Sequence, residues 1–146
     1  MARAIEVARG VTEHGDVPIG AVVLDPSGAV IAVGGNEREL TGDPTAHAEI
    51  VALRRAAERT GSWRLDGHTL VVTLEPCTMC AGAIAQARLA RLVFGAYDEK
   101  AGAVASLFDV LRDPRLPHRV EVISGIAEAE CAALLQEFFG GNRAKK

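Results

Sequence analysis

One imidazole, two thiols and a spare carboxylate fall within two short stretches of this chain. The first is Asp43-Pro44-Thr45-Ala46-His47-Ala48-Glu49 and the second is Thr73-Leu74-Glu75-Pro76-Cys77-Thr78-Met79-Cys80. A catalytic zinc takes three protein ligands and keeps one position for water, whereas a structural zinc takes four. His47, Cys77 and Cys80 are three candidate ligands, and the sequence offers no evident fourth. Cys77 and Cys80 stand three apart, on one face of a helix. At a helix start the dipole and the free N–H groups favour thiolate over thiol. Glu49 comes two residues after His47 and so points in another direction, which suits a carboxylate that attends the metal's water without binding the metal. A zinc ion would lower the pKa of that water toward ~7. Glu49 would take the water's proton and return it to a ring nitrogen and a departing amine. That chemistry is hydrolytic deamination.

Other readings of the same residues are possible. A lone His in an alanine-rich helix is more often a core or surface residue than a ligand. Cys-x-x-Cys also occurs as a redox pair, but here it lacks its usual place after the first strand of a thioredoxin-like pattern. A four-ligand structural zinc would need one of His14, His68 or His118, none of which has regular ligand spacing. Two metal motifs, each behind a helix-start signal, favour the catalytic site.

The surrounding pattern supplies elements to position these groups. Residues 2–13 read as an amphipathic helix, weakened at Gly10 and ended by Gly15-Asp16. Residues 17–24 and 29–33 are apolar, β-branched runs joined by Asp25-Pro26-Ser27-Gly28, a tight-turn sequence that predicts an antiparallel hairpin. A polar loop, 34–42, holds Asn36. A helix follows over 45–59, with Asp43 or Thr45 as cap, Pro44 in a first-turn position and Gly61 as stop. Residues 68–74 predict a buried strand, and Pro76 opens a helix through Cys77, Cys80, Ile84 and Ala87. A strand at 91–94, a glycine-bearing loop at 95–102 and a helix near 103–111 come next. A strand at 119–123 and a helix at 127–139 close the pattern. The order is α-β-β-α-β-α-β-α-β-α, an α/β fold. After the hairpin its strands are expected to be parallel, with right-handed crossovers and helices on both faces.

With 146 residues, nearly half of them apolar, the chain reads as one domain, 1–146, able to bury a core. No apolar run reaches the roughly 18 residues of a membrane span. The first residues lack a signal-peptide pattern, and three cysteines are too few and too oddly placed for a disulfide framework. A cytoplasmic location is expected. Cys131 lies in an apolar helical context and reads as core filling. The net charge of −3 is uneven: residues 1–76 carry 11 acidic and 7 basic side chains, residues 77–146 carry 8 and 9. The tail Asn142-Arg143-Ala144-Lys145-Lys146 is purely basic. Composition neither demands nor excludes RNA.

Beyond the metal motifs, several segments carry a resemblance. They include Val17-Pro18-Ile19-Gly20-Ala21-Val22, Asn36, residues 43–50 and 74–84, and Phe94-Gly95-Ala96-Tyr97-Asp98-Glu99-Lys100-Ala101-Gly102-Ala103. His118-Arg119-Val120-Glu121-Val122, residues 130–135 and Phe138-Phe139 extend it over nearly the whole chain. In these the chain resembles the bacterial tRNA-specific adenosine deaminase family of the cytidine deaminase-like zinc deaminase superfamily. The resemblance implies a three-layer α/β/α fold with a five-stranded mixed sheet, one Zn2+ per subunit and a homodimer. It implies conversion of adenosine to inosine at the wobble position, with a tRNA anticodon stem-loop as partner. It makes Asn36 a contact to the flipped nucleoside, sets Ala48 beside the attacked ring and gives Asp98 a contact to the anticodon-loop backbone. Tyr97 departs from the family, which usually has a basic residue there; an aromatic side chain could stack on a base. Arg88, Arg91, Lys100, Arg112, Arg115 and the tail could follow phosphates.

The nearest rival is a free-base or nucleotide deaminase, for guanine or cytosine, on the same scaffold. A non-catalytic zinc-binding module is a rival of a different class, and the spare carboxylate of Glu49 argues against it.

Overall fold

One strand, β1 (Gly20–Leu24), runs against the other four of a five-stranded sheet ordered β2-β1-β3-β4-β5. It pairs antiparallel with β2 (Val30–Gly35) and with β3 (Thr69–Leu74). β3 pairs in parallel with β4 (Arg91–Ala96), and β4 with β5 (Glu121–Ile123). The computed structural model describes the backbone of residues 1–144 and the side chains of residues 1–141, so the basic tail side chains lie outside the described residues.

The hairpin expected between 17 and 33 forms as the turn chemistry dictates. The Gly28 N–H donates to the Asp25 carbonyl, and the Asp25 carboxylate accepts the N–H groups of Ser27 and Ala29. After it, β2, β3, β4 and β5 share one direction, so each later connection is a crossover, as the alternating pattern predicted. α1 (Ala2–Gly10) and α5 (Glu128–Ala144) cover one face; α3 (Ala48–Thr60) and α4 (Thr78–Gln86) cover the other. The resulting three layers are those expected. Strand alternation sorts the core accordingly. Ala21, Val23, Leu70, Val72, Leu92 and Phe94 face α3 and α4, while Val22 and Val71 face α1. Cys131 is 1% exposed and packs with Ile5, Ala8 and Leu134, the core role expected of it.

Four expectations need correction. The first helix stops at Gly10 and tightens to a 3₁₀ turn over Val11–His14. The helix expected from Thr45 begins at Ala48: Asp43 spends its carboxylate on the Thr45 N–H and hydroxyl, both at 2.8 Å, making a turn instead of a cap. The helix expected near 103–111 is absent, and turns occupy that stretch. Its leading N–H groups are taken from outside the segment. Ala103 donates to the Pro76 carbonyl, and Val104, Ala105 and Ser106 donate to the Glu75 carboxylate. Leu107 and Phe108 both turn back to the Gly102 carbonyl, so no helical ladder starts. A one-turn helix, α2 (Arg38–Thr41), lies in the loop expected to be irregular.

Candidate metal and substrate site

The starts of α3 and α4 meet, the second of them following the central strand β3. His47 occupies the N-cap position of α3 and Cys77 that of α4, both with extended backbone. Cys80 lies one turn into α4, fully buried. The Nδ1 of His47 is 3.6 Å from the Sγ of Cys77 and 3.6 Å from the Sγ of Cys80. All three ligand atoms lie within 4.8 Å of one another, the one such group of three metal-binding side chains among the described residues. With Zn–S near 2.3 Å and Zn–N near 2.0–2.1 Å, a tetrahedral centre would set S···N edges of about 3.6 Å. The donor set and its spacing therefore fit a zinc-type ion, with a fourth position left to a small molecule. His14, His68 and His118 stand elsewhere, bonded to the Asp16 carboxylate, the Asp66 carbonyl and the Leu89 carbonyl.

The electrostatics of this cluster follow from its crowding. The Cys77 thiol is drawn down to about 3, chiefly by the Cys80 S–H that donates to it, with His47 assisting against burial. Donating that hydrogen bond, together with burial and the nearby Glu49, pushes the Cys80 thiol up. His47 is raised chiefly by its bond to Cys77. Glu49, in the first turn of α3 and only 4% exposed, is pushed up by burial against the opposing pull of its own N–H, Cys80 and His47. A carboxyl tuned upward beside a metal-binding cluster is suited to carrying a proton near neutral pH.

Ala48 follows His47 directly in the chain, and Asn36 is tied to the same segment through its neighbour. Asn36 directly follows β2, 5% exposed, its Nδ2 donating to the Val17 carbonyl and its Oδ1 accepting the Arg38 N–H. The next N–H, of Glu37, donates to the Ala46 carbonyl just before His47. Ala48 is fully exposed to the core and not to solvent, so its methyl packs inward; what it can offer a ligand is a backbone N–H in a helix's first turn, where no intrahelical acceptor exists. Asp98 is further off, in the loop after β4. It accepts the N–H groups of Lys100 and Ala101 and lines a cavity of about 620 Å³ with Val17, Tyr97, Lys100, Leu135 and Phe139. That cavity holds none of the metal-binding side chains and is a flanking groove. Tyr97 is pinned by its hydroxyl to Ser124 at 2.9 Å and by an edge-to-face contact with Phe94, leaving the ring partly exposed.

Of the basic side chains expected to follow phosphates, Arg91, Arg112 and Arg115 are paired with Glu121, Asp109 and Asp113. Arg88 donates to the Ala85 carbonyl, while Lys100 lines the groove. Two buried acids that organise the site escaped the motif reading. Asp16 accepts the His14 ring and the N–H groups of Glu39 and Leu40, and so anchors the loop after Asn36. Glu75 holds the loop after Asp98. The available signal was an isolated acid beside an apolar strand, at Asp16-Val17 and Leu74-Glu75.

The chain matches the family model of MafB19-like deaminases over residues 1–143. It is 47% identical over 146 residues to the tRNA-specific adenosine deaminase of Haemophilus influenzae, covering all of this chain and 84% of that protein. A structure from a study of A-to-I editing by tRNA:A34 deaminases at the wobble position of transfer RNA superposes with a TM-score of 0.86. It shares 49% identity and covers 90% of this chain and 95% of that one. A guanine deaminase from Nitrosomonas europaea superposes with a TM-score of 0.77 at 28% identity, covering 95% and 82% of the two chains.

Proposed function

The chain belongs to the tRNA-specific adenosine deaminase family, and from that membership we propose hydrolytic deamination of adenosine to inosine at the wobble position of a tRNA anticodon. The observation that carries the reading is the His47–Cys77–Cys80 cluster, spaced at 3.6 Å for a tetrahedral ion, with the buried Glu49 beside it. His47, Cys77 and Cys80 would hold one zinc per subunit, and the ion would supply a Lewis acid that makes water nucleophilic near neutral pH. Glu49 would carry two protons in turn: one from the attacking water to the purine ring nitrogen, where it stays, and a second from the new hydroxyl on the attacked carbon to the amino group, which leaves as ammonia. Asn36 and the Ala48 N–H orient the nucleoside, and Asp98 holds the anticodon-loop backbone through its neighbouring groove.

An anticodon loop suits such a site because its bases are already unpaired, so extrusion costs little; the tRNA adenosine deaminases are themselves an established case of this. Residues 1–146 act as one deaminase domain in the cytoplasm. No helix among the described residues is long and apolar enough to cross a membrane. A homodimer would cover the apolar groove of about 320 Å³ between α3 and α4, where Leu53, Ala57 and Ala87 meet a Trp63 that is 62% exposed. Turnover of an adenosine-bearing anticodon stem-loop by the zinc-loaded protein tests the reading; turnover of free guanine or cytosine with the stem-loop untouched would replace it with the free-base alternative.

A further inference from the structure

Glu75 sits between the last residue of β3 and Pro76-Cys77, the turn that delivers a metal ligand. It is only 2% exposed. Burying a carboxylate in such a place is costly unless its oxygens are saturated, and here they are. One oxygen accepts the N–H groups of Val104, Ala105 and Ser106 at 3.2, 2.9 and 2.9 Å. The other accepts the Asp98 N–H at 3.1 Å and the Ser106 hydroxyl. All of these donors come from the loop after β4, between 23 and 31 residues downstream. The backbone completes the stitching: Glu75 N–H donates to the Ala96 carbonyl and Ala103 N–H to the Pro76 carbonyl. The cradle is also filled to its limit, because a Cβ at Gly102 would lie 2.4 Å from the Glu75 carboxyl carbon.

This clamp closes on one side of the flanking groove. Residues 97–101 form its wall, and Leu74, the neighbour of Glu75, forms part of its floor. The Glu75 side chain is therefore the side-chain tie, beside these two backbone bonds, between the loop carrying Asp98 and Lys100 and the turn carrying Cys77. We propose that Glu75 is a positioning residue for RNA recognition: it fixes the groove-lining loop 97–101 relative to the metal-binding turn. The inference rests on the proposed reading of the groove as an RNA contact. Glu75 itself touches neither the nucleoside nor the ion. Its loss should weaken capture of the stem-loop more than it slows the chemical step.

The test compares the wild type with Glu75→Gln, which keeps the shape but places an amide NH2 among N–H donors that need an acceptor. Zinc content, KM and kcat are measured with an adenosine-bearing anticodon stem-loop, and amide hydrogen exchange at residues 98 and 104–106 is followed in parallel. The expected result is zinc retained at one per chain, KM raised about tenfold or more, kcat within threefold and faster exchange at those amides. KM unchanged, or kcat falling together with zinc content, would overturn the proposal. Should Glu75→Gln not fold, Gly102→Ala and Ser106→Ala disturb the same contacts from the loop side and are read by the same criteria. A wild type silent on the stem-loop would sink the functional reading on its own; unchanged exchange in the variant, with zinc bound, would sink the clamp.

Discussion

Ala52 of α3 lies so close to Gly34 of β2 that a Cβ at position 34 would stand 2.5 Å from the Ala52 nitrogen and 2.6 Å from the Ala48 carbonyl oxygen. This close seat brings the start of α3, with His47 and Glu49, down onto the sheet. Gly34→Ala is therefore expected to destabilise the protein by about 1–3 kcal/mol, as overpacked interiors do. It should also lower turnover by tilting that helix. Urea unfolding and activity of the same preparation check this; unchanged stability would mean that the seat is not tight.

Glu49 should separate metal binding from catalysis. Glu49→Ala and Glu49→Gln are expected to keep one zinc per chain and the wild-type fold. Deaminase turnover should fall by about 10²–10⁴-fold or more, the usual contribution of a positioned proton carrier. Metal analysis beside a single-turnover assay checks it. Activity retained in either variant would remove Glu49 from that role.

Zinc affinity should rise with pH. In the metal-free cluster Cys77 is held as thiolate down to about 3 by the Cys80 S–H, while Cys80 is pushed up and His47 is raised by its bond to Cys77. Both raised groups keep a proton that the ion must displace, and a raised group gives up its proton only as pH climbs. Affinity should thus weaken on going from about pH 8 to about pH 6, by roughly ten- to a hundredfold per unit for one or two protons released. Competition with a chromogenic chelator measures it, and pH-independent affinity would contradict the assignment of these ligands.

Salt should separate an RNA substrate from a free base. Each phosphate contact to a single-stranded loop adds about 0.7 to the slope of log affinity against log salt. Because Arg91, Arg112 and Arg115 are already paired with Glu121, Asp109 and Asp113, a shallow slope carried by few contacts is expected for stem-loop binding, and Lys100→Ala should reduce it further. Titration by fluorescence anisotropy at several salt concentrations reads both, and a slope of zero would argue for the neutral-base alternative.

Much of this site was legible in the sequence because its chemistry is local. His47, Cys77 and Cys80 could be read from residue type and spacing beside helix-start signals, although the helices begin at Ala48 and Thr78. The shift at α3 arose because Asp43 serves its own turn at Thr45, a competition that residue type alone does not decide. The expected helix near 103–111 failed for a non-local reason. Its N–H groups are claimed by Glu75, across about thirty residues of sequence, and no periodicity in 103–111 records that. Asp16 was missed for the same reason, since its acceptor role depends on Glu39 and Leu40 folding back over it.

The most direct test of the account is incubation of the zinc-loaded protein with an adenosine-bearing anticodon stem-loop, with free adenosine, guanine and cytosine in parallel. Inosine formed at the wobble position of the stem-loop, with the free compounds unchanged, is the predicted result. Deamination of a free base with an intact stem-loop would contradict the tRNA assignment, and silence on all four with one zinc bound would contradict catalysis by the His47–Cys77–Cys80 site.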